Sequence, residues 1–240
     1  MSFVNIQNLS KDYYTKDGLI KAVQNFSLKI NQGEIIALVG PSGCGKSTIL
    51  SILAGITNKS SGHINFSKNH FIIGYMLQDD TLFYWLNIEQ NSKLALKLKH
   101  KKDHYLDQHV DKLIKNYGLA DYKNLYPKNL SGGMRQRVAL IRTLALNPDI
   151  LLLDEPFSAL DYQTRLLVSK DLLNIIRNEK QTVILVTHDI AEAISMADKV
   201  ITLSNRPATI KNIYEINLSS KFDPLLNRTN PDFLIYFEKI

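Results

Sequence analysis

A single cysteine, Cys44, stands in the 240 residues, which excludes an intramolecular disulfide and favours a reducing compartment. Prolines number only seven and charged residues make up 22%, so the chain belongs with ordinary globular proteins rather than with low-complexity or disordered ones. No apolar run approaches the roughly 20 residues that span a bilayer; even the block from Ile150 to Leu153 stops at Asp154. The start, Met1-Ser-Phe-Val-Asn-Ile-Gln-Asn, lacks the basic opening and apolar block of a signal peptide. Any role at a membrane is therefore expected to run through partners. Internal repeats and low-complexity linkers are also missing, and the expectation is one domain over residues 1–240.

The net charge is +6. Basic residues are dense from Lys93 to Lys128, with a run at Lys99-His-Lys-Lys102. Arginine is absent from this stretch, and Asp103, Asp107 and Asp111 interleave with the lysines. A solvated helix face is the reading, and no nucleic-acid partner is expected.

Phe3 to Ser10 and Ala22 to Ile30 alternate apolar and polar residues, as half-buried antiparallel strands do. Ile35 to Val39, Ile150 to Leu153 and Thr182 to Val186 are almost wholly apolar, the pattern of strands covered on both faces. A mostly helical stretch, about 88–147, lies between the first two. Its period is clearest at Leu94 and Leu98, then at Val110, Leu113, Ile114 and Tyr117. A further helix is expected from Asp161 to Asn178. Buried strands alternating with helices indicate an α/β core around a parallel sheet, with the helical block inserted into it.

Gly40-Pro41-Ser42-Gly43-Cys44-Gly45-Lys46-Ser47-Thr48 fits G-x-x-x-x-G-K-[ST] directly between a buried strand and a helix-like run to Ala54, the context this motif requires. The glycines let successive backbone N–H groups converge on phosphate oxygens. A helix starting near Lys46 adds its positive end. Lys46 supplies charge for the β- and γ-phosphates, and the Ser47 hydroxyl can complete a Mg²⁺ shell. Cys44 is needed there only for its backbone.

Asp154 and Glu155 stand at the end of the second apolar strand. Successive strand residues point to opposite faces, so the two are expected to divide the work. Asp154 is the candidate for holding Mg²⁺ through water, Glu155 for orienting and deprotonating the attacking water. Pro156 cannot donate to a sheet and should end the pairing. After the third strand come Thr187, His188 and Asp189. Ligands of open α/β sheets gather outside the carboxyl ends of the strands, so Lys46, Glu155 and His188 are expected at one edge, His188 contacting the γ-phosphate. Leu130-Ser131-Gly132-Gly133-Met134-Arg135-Gln136-Arg137 opens an apolar helix to about Leu146. Ser131 suits an N-cap, and the glycines leave N–H groups bare for an anion or for an ordinary helix start.

Taken together, Gly40 to Thr48, Leu130 to Arg137, Ile150 to Pro156, Ser158-Ala-Leu-Asp161 and Thr187 to Asp189 resemble the Walker A, signature, Walker B, D-loop and H-loop of ABC ATPases, in that family's order and spacing. Met76-Leu77-Gln78-Asp79 resembles the Q-loop. The resemblance implies ATP and Mg²⁺ as cofactors and a P-loop NTPase (RecA-like) core with a parallel sheet, an antiparallel β subdomain and an inserted helical subdomain. It adds Gln78 to the catalytic and metal-binding candidates. Tyr13, or failing that Tyr14, matches the aromatic that stacks on adenine. It also implies a head-to-tail dimer in which Ser131, Gly132 and Gly133 close on the partner's nucleotide and Asp161 links the two sites. Met134 departs from the glutamine of many members.

Gln78-Asp-Asp-Thr-Leu-Phe-Tyr-Trp-Leu86, Phe157 to Arg165 and Leu203-Ser-Asn-Arg-Pro207 look like the importer subfamily for nitrate, sulfonates and taurine. That would place the chain on the cytoplasmic face of a membrane, with permease subunits and, indirectly, an extracytoplasmic solute-binding protein. Leu82, Phe83, Trp85 and Leu86 form an apolar cluster that is either a permease contact or local core. The appended regulatory domain of sugar importers is not expected, because the sequence ends soon after the core. The alternative is a non-transport ABC ATPase of DNA repair or translation. The first would separate the Walker motifs by a long coiled coil, and the second usually carries two domains in tandem.

Overall fold

The structure, a computed structural model, describes residues 2–16, 18–99, 104–220 and 222–240. The chain opens with strands β1 (Ser2–Thr15), β2 (Gly18–Asn31) and β3 (Ile35–Val39), helix α1 (Lys46–Leu53), and strands β4 (Ser61–Phe66) and β5 (Ile73–Met76). Four helices follow: α2 (Ile88–Ser92), α3 (Leu94–Leu98), α4 (His104–Asn116) and α5 (Gly132–Leu144). Then come β6 (Ile150–Asp154), α6 (Tyr162–Asn178), β7 (Thr182–Val186), α7 (Ile190–Met196), β8 (Lys199–Leu203) and β9 (Ile210–Glu215). Two helices close the chain, α8 (Pro224–Arg228) and α9 (Pro231–Lys239).

Six strands form one sheet in the order β5-β6-β7-β3-β8-β9, parallel except for β9 at the edge. β2, β1 and β4 make a separate antiparallel sheet. The mostly apolar strands β3, β6 and β7 are buried at every residue, and the period of two sorts their apolar side chains between two cores. Ile36, Leu38, Leu152, Ile184 and Val186 face α1 and the antiparallel sheet, meeting Ile49, Leu50, Ile6 and Phe26. Ala37, Leu151, Leu153, Val183 and Leu185 face the other way, onto Val138 and Ile141 of α5, Leu172 and Ile176 of α6, and Ile194 of α7. A continuous apolar run is thus what a strand with helices or sheet on both sides requires.

The expected helical stretch lies between β5 and β6, which are sheet neighbours. Val110, Leu113, Ile114 and Tyr117 are buried as the period predicts. The Leu94–Leu98 pair does not follow: Leu98 is 71% exposed, and Leu96 is the residue α3 buries. A five-residue helix is too short for its period to be read from two leucines. Within the basic stretch, Lys93 is engaged by Glu89 at 3.0 Å and Asp111 at 2.8 Å. Residues 100–103, most of the lysine-rich run, lie outside the described residues. Among the described residues no helix is long and apolar enough to cross a membrane.

Candidate functional site

Parallel pairing brings the functional strand ends into line. Val186 of β7 is level with Leu38 of β3 on one side and Asp154 of β6 on the other. Gly40, Glu155 and His188 each lie one or two residues beyond these partners, so the three loops leave the same edge of the sheet. Gln78 follows the end of β5, the strand beside β6, and is exposed there.

The phosphate loop runs from Gly40 to the first residues of α1. Gly43 and Gly45 have positive φ, 71° and 126°. Gly45 is obligatory on a second count, because a Cβ would sit 2.6 Å from the Ala22 carbonyl oxygen of β2. That contact also seats the antiparallel sheet beside the loop. Tyr13 pairs with Ile20, two residues before Ala22. Its ring is partly exposed, with Lys11 Nζ 4.7 Å from the centroid, while Tyr14 projects into solvent. Cys44 is buried, and its N–H donates to the Pro41 carbonyl at 3.2 Å. Pro41, Ser42, Gly43 and Ser47 are exposed, with Gly40 and Thr48 partly covered. The Lys46 ammonium is buried and donates to the carbonyls of Gly40 (2.7 Å) and Pro41 (3.0 Å), which holds its charge at the loop.

Asp154 is 3% exposed, and its Oδ1 has no partner. Burial pushes its carboxyl above the usual range; a hydrogen bond with Ser47 and the charge of Lys46 oppose that, while Glu155 adds to it. An orphaned buried carboxylate oxygen beside a serine hydroxyl is a hard-oxygen donor pair that suits Mg²⁺. Among the described residues no cluster of three or more His, Cys, Asp or Glu could hold a metal by itself. Ser47 and Asp154 would supply part of a Mg²⁺ shell, phosphate and water the remainder, as is usual for this ion.

Glu155 is not the next strand residue, as the alternation argument assumed. It stands in the left-handed region at φ 50°, which costs a bulky residue on the order of 1–3 kcal/mol. Its carboxylate turns to His188, with Oε2 3.2 Å from the Nδ1. Two bonds hold the strained backbone: the Glu155 N–H donates to Val186 at 2.9 Å, and the Gln136 side chain donates to the Glu155 carbonyl at 3.2 Å. Strand pairing ends there, as Pro156 requires.

Gln136 is a residue that motif reading passed over. It is buried on α5, and besides Glu155 it donates to Ser158 Oγ (3.2 Å) and accepts from the Ala159 N–H (3.0 Å). A signal existed: Gln136, Leu140 and Leu144 share the buried stripe, and a polar side chain on an apolar stripe needs partners. Ser131 caps α5, accepting from the Met134 N–H at 3.2 Å. A Cβ at Gly133 would meet only Leu160 (3.0 Å) and Ala159 within 4 Å. Gly132 and Gly133 thus border the segment after Glu155, beside Ala159 and Leu160. Asp161 caps α6 through the Thr164 N–H (3.0 Å), and its hydrogen bonds with Thr164 hold its carboxyl below the usual range.

Beyond Gln78, Arg135 donates to Asp80 at 2.8 Å, and Arg142 donates to the carbonyls of Asp80 (2.9 Å) and Thr81 (3.0 Å). The loop is thus bolted to α5. The neighbouring apolar cluster divides: Leu82 is core, whereas Phe83 and the 71%-exposed Trp85 face solvent with ring centroids 5.0 Å apart. Phe83, Tyr75, Thr81, Leu94, Leu98 and Arg142 line an open groove of about 400 Å³. A larger cleft of about 670 Å³ opens at the opposite edge of the sheet, where Arg177–Asp198 and Lys199–Glu34 pair among themselves.

A phosphate loop after β3 and two carboxylates at the end of β6, two strands away on the same edge of the parallel sheet, define a P-loop nucleotide hydrolase. Comparison with known proteins narrows the class. Residues 23–158 match the ABC transporter family model, and the chain belongs to that family as an ATP-binding, ATP-hydrolysing subunit. It is 41% identical to the uncharacterized ABC transporter ATP-binding protein YtlC of Bacillus subtilis, over 100% of this chain and 95% of that one. It is 42% identical to the aliphatic sulfonates import ATP-binding protein SsuB of Bacillus subtilis, over 88% and 82%. With the nitrate import ATP-binding protein NrtD of Synechocystis it shares 35% over 99% and 93%. Among solved structures, the dimeric post-hydrolysis state of the ATP-binding cassette MJ0796, bound to ADP and Pi, superposes with TM-score 0.80 at 29% identity, covering 89% of this chain and 99% of that one.

Replacing Gln136 by leucine would take this partner from the partly buried Glu155 carbonyl and from the Ala159 N–H. A loss of about 1–3 kcal/mol is expected, read as a lower urea midpoint. An unchanged midpoint would show that these bonds contribute nothing.

Proposed function

We propose that the chain, as one ATPase domain over residues 1–240 with its helical insertion near 88–147, drives a membrane importer of small solutes of the nitrate, sulfonate or taurine type. The observation that carries the chemistry is the Glu155–His188 pair, 3.2 Å apart, at the ends of β6 and β7 on the edge where the phosphate loop leaves β3. In this reading the loop from Gly40 to Thr48 wraps the phosphates with backbone N–H groups, and Lys46 exchanges its carbonyl partners for phosphate oxygens. Tyr13 stacks on the adenine. Ser47, Asp154 and Gln78 hold Mg²⁺, directly or through water, and the ion when bound neutralises charge on the phosphates. Glu155 is the general base that takes a proton from the attacking water. His188 orients the Glu155 carboxylate and contacts the γ-phosphate.

The signature loop is idle within its own chain. Ser131, Gly132 and Gly133 form a partly exposed helix N-terminus whose glycines border Ala159 and Leu160, which supports a role across a head-to-tail dimer. Asp161, at the surface beside that loop, would link the two sites. The dimeric form of the superposable cassette supports the same reading. The exposed Phe83–Trp85 pair and the groove beside it are the surface for a permease element. Because the loop that carries Gln78 is bolted to α5, whose first residues are the signature, docking there can be felt at both. Subunits of this kind sit on the cytoplasmic face and reach an extracytoplasmic solute-binding protein only through the permease. The solute class rests on the sulfonate and nitrate import relatives. Nothing in the fold or the relatives favours an ATPase of DNA repair or translation.

Glu155→Gln should bind MgATP and accumulate as a nucleotide-bound dimer while hydrolysing at least about a hundredfold more slowly. Near-parental turnover would remove Glu155 from this role. Mixing Lys46→Ala with Ser131→Arg subunits, each inactive alone, should restore one composite site and part of the ATPase rate. No recovery would argue that each chain works by itself.

A further inference from the structure

Behind the Glu155–His188 pair lies a void that Glu155, Ser158, Arg165, Thr187, His188 and Glu192 help to line, with about 10 Å³ of space for a water centre. That is room for roughly one water molecule. Two buried polar atoms on its wall lack protein partners, the Glu192 Oε1 and the Arg165 Nε. An acceptor and a donor stranded on one small polar void are the partners that a buried water needs.

Glu192 also grips both neighbours of His188. Its carboxyl shares a hydrogen bond with the Thr187 hydroxyl, which in turn accepts from the Asp189 N–H at 3.0 Å. Its backbone N–H donates to Asp189 Oδ1 at 3.1 Å, and Asp189 Oδ2 is paired with Arg165 at 3.3 Å. Residues 187 and 189 are therefore both fixed on a residue in the first turn of α7. His188 projects between them, 64% exposed, and has no comparable packing of its own.

We infer that Glu192, through a water shared with Arg165, is a positioning residue that holds His188 and Glu155 in register for hydrolysis, and that it does so only while its carboxyl is neutral. The inference rests on Glu155 and His188 being the hydrolytic pair. The charged groups facing Glu192 are Asp189 at the head of its own helix, Arg165 on α6 and Arg228 on α8, with Glu155 and His188 across the void. β3, β8 and α9 also pack on α7 and contribute apolar side chains to that layer, among them Ala37, Val200 and Phe233. Burial, reinforced by Asp189, raises the carboxyl to about 8, against the opposing Thr187 bond and the two arginines. Below that the neutral acid can donate to the water. Above it, a third carboxylate faces Asp189 and Glu155, and repulsion loosens the loop that carries His188. The sign for stability runs the same way. The folded chain binds this proton where the unfolded chain has released it, so the group's contribution falls as pH rises from about 4.5 to about 8.

The test is the pH profile of ATP hydrolysis for the full chain and for Glu192→Gln, whose amide keeps a donor and cannot ionise. Between pH 7 and pH 9 the neutral fraction of a group titrating near 8 falls about tenfold. The parent's kcat should fall by about that factor with KM for ATP little changed, and the Gln variant should lose most of the fall. An alkaline limb of equal depth in both proteins, or none in the parent, overturns the inference while leaving the Glu155→Gln result intact. Should the variant not fold, infrared spectra of the parent decide: a protonated-carboxyl band present at pH 7 and lost by pH 9 is expected, and no such band is the contrary result.

Discussion

The register of three neighbouring parallel strands, β6, β7 and β3, is the constraint on which everything else depends. Val186 pairs level with both Leu38 and Asp154, and the residues just past these three positions are the ones proposed to carry the chemistry. A slip of one residue in β6 would exchange its two faces, turning Leu151 and Leu153 into the core now filled by Leu152 and carrying Asp154 away from Ser47. Such a slip is opposed by two separate cores, since every side chain of β3, β6 and β7 is buried on one side of the sheet or the other. The site is thus placed by hydrophobic packing some distance from any phosphate.

Local strain does the finer aiming. Glu155 leaves the strand through a left-handed conformation that its side chain disfavours. The Gln136 bonds and the Val186 carbonyl hold it there, so the carboxylate meets His188 instead of following the strand's alternation. Gln136 belongs to the helix that opens with Ser131. The same helix grips the loop after Gln78 through Arg135 and Arg142. Glu155, the signature loop and the exposed groove therefore share one support, a physical route by which events at a membrane partner could reach the hydrolytic edge.

The parts of this arrangement legible in the sequence were those encoded locally. Three mostly apolar stretches, the glycine pattern with Lys46, and carboxylates after a buried run each announce themselves within a few residues, and their convergence follows from parallel topology. β4 and β9 were not legible because they are edge strands with exposed or partly exposed side chains throughout. β5 is only four residues long, and Leu98 shows how little a short helix reveals of its inner face. Residues whose meaning lies in distant contacts also escaped. Gln136 reads as one more polar side chain of a signature motif, and Glu192 as an ordinary acid in a first helical turn. Only the folded chain shows the first holding Glu155 and the second buried behind His188. The likeness to ABC ATPases supplied roles, such as that of Gln78, which spacing alone does not give.

The account's central claim is that Lys46, Glu155 and His188 act on one triphosphate. A crystal structure of the Glu155→Gln chain with MgATP tests it directly. The Lys46 ammonium should have left the Gly40 and Pro41 carbonyls for phosphate oxygens, with His188 on the γ-phosphate and Ser47 and Asp154 at the metal. Nucleotide bound elsewhere, or bound with Lys46 and His188 pointing away from it, would contradict the claim.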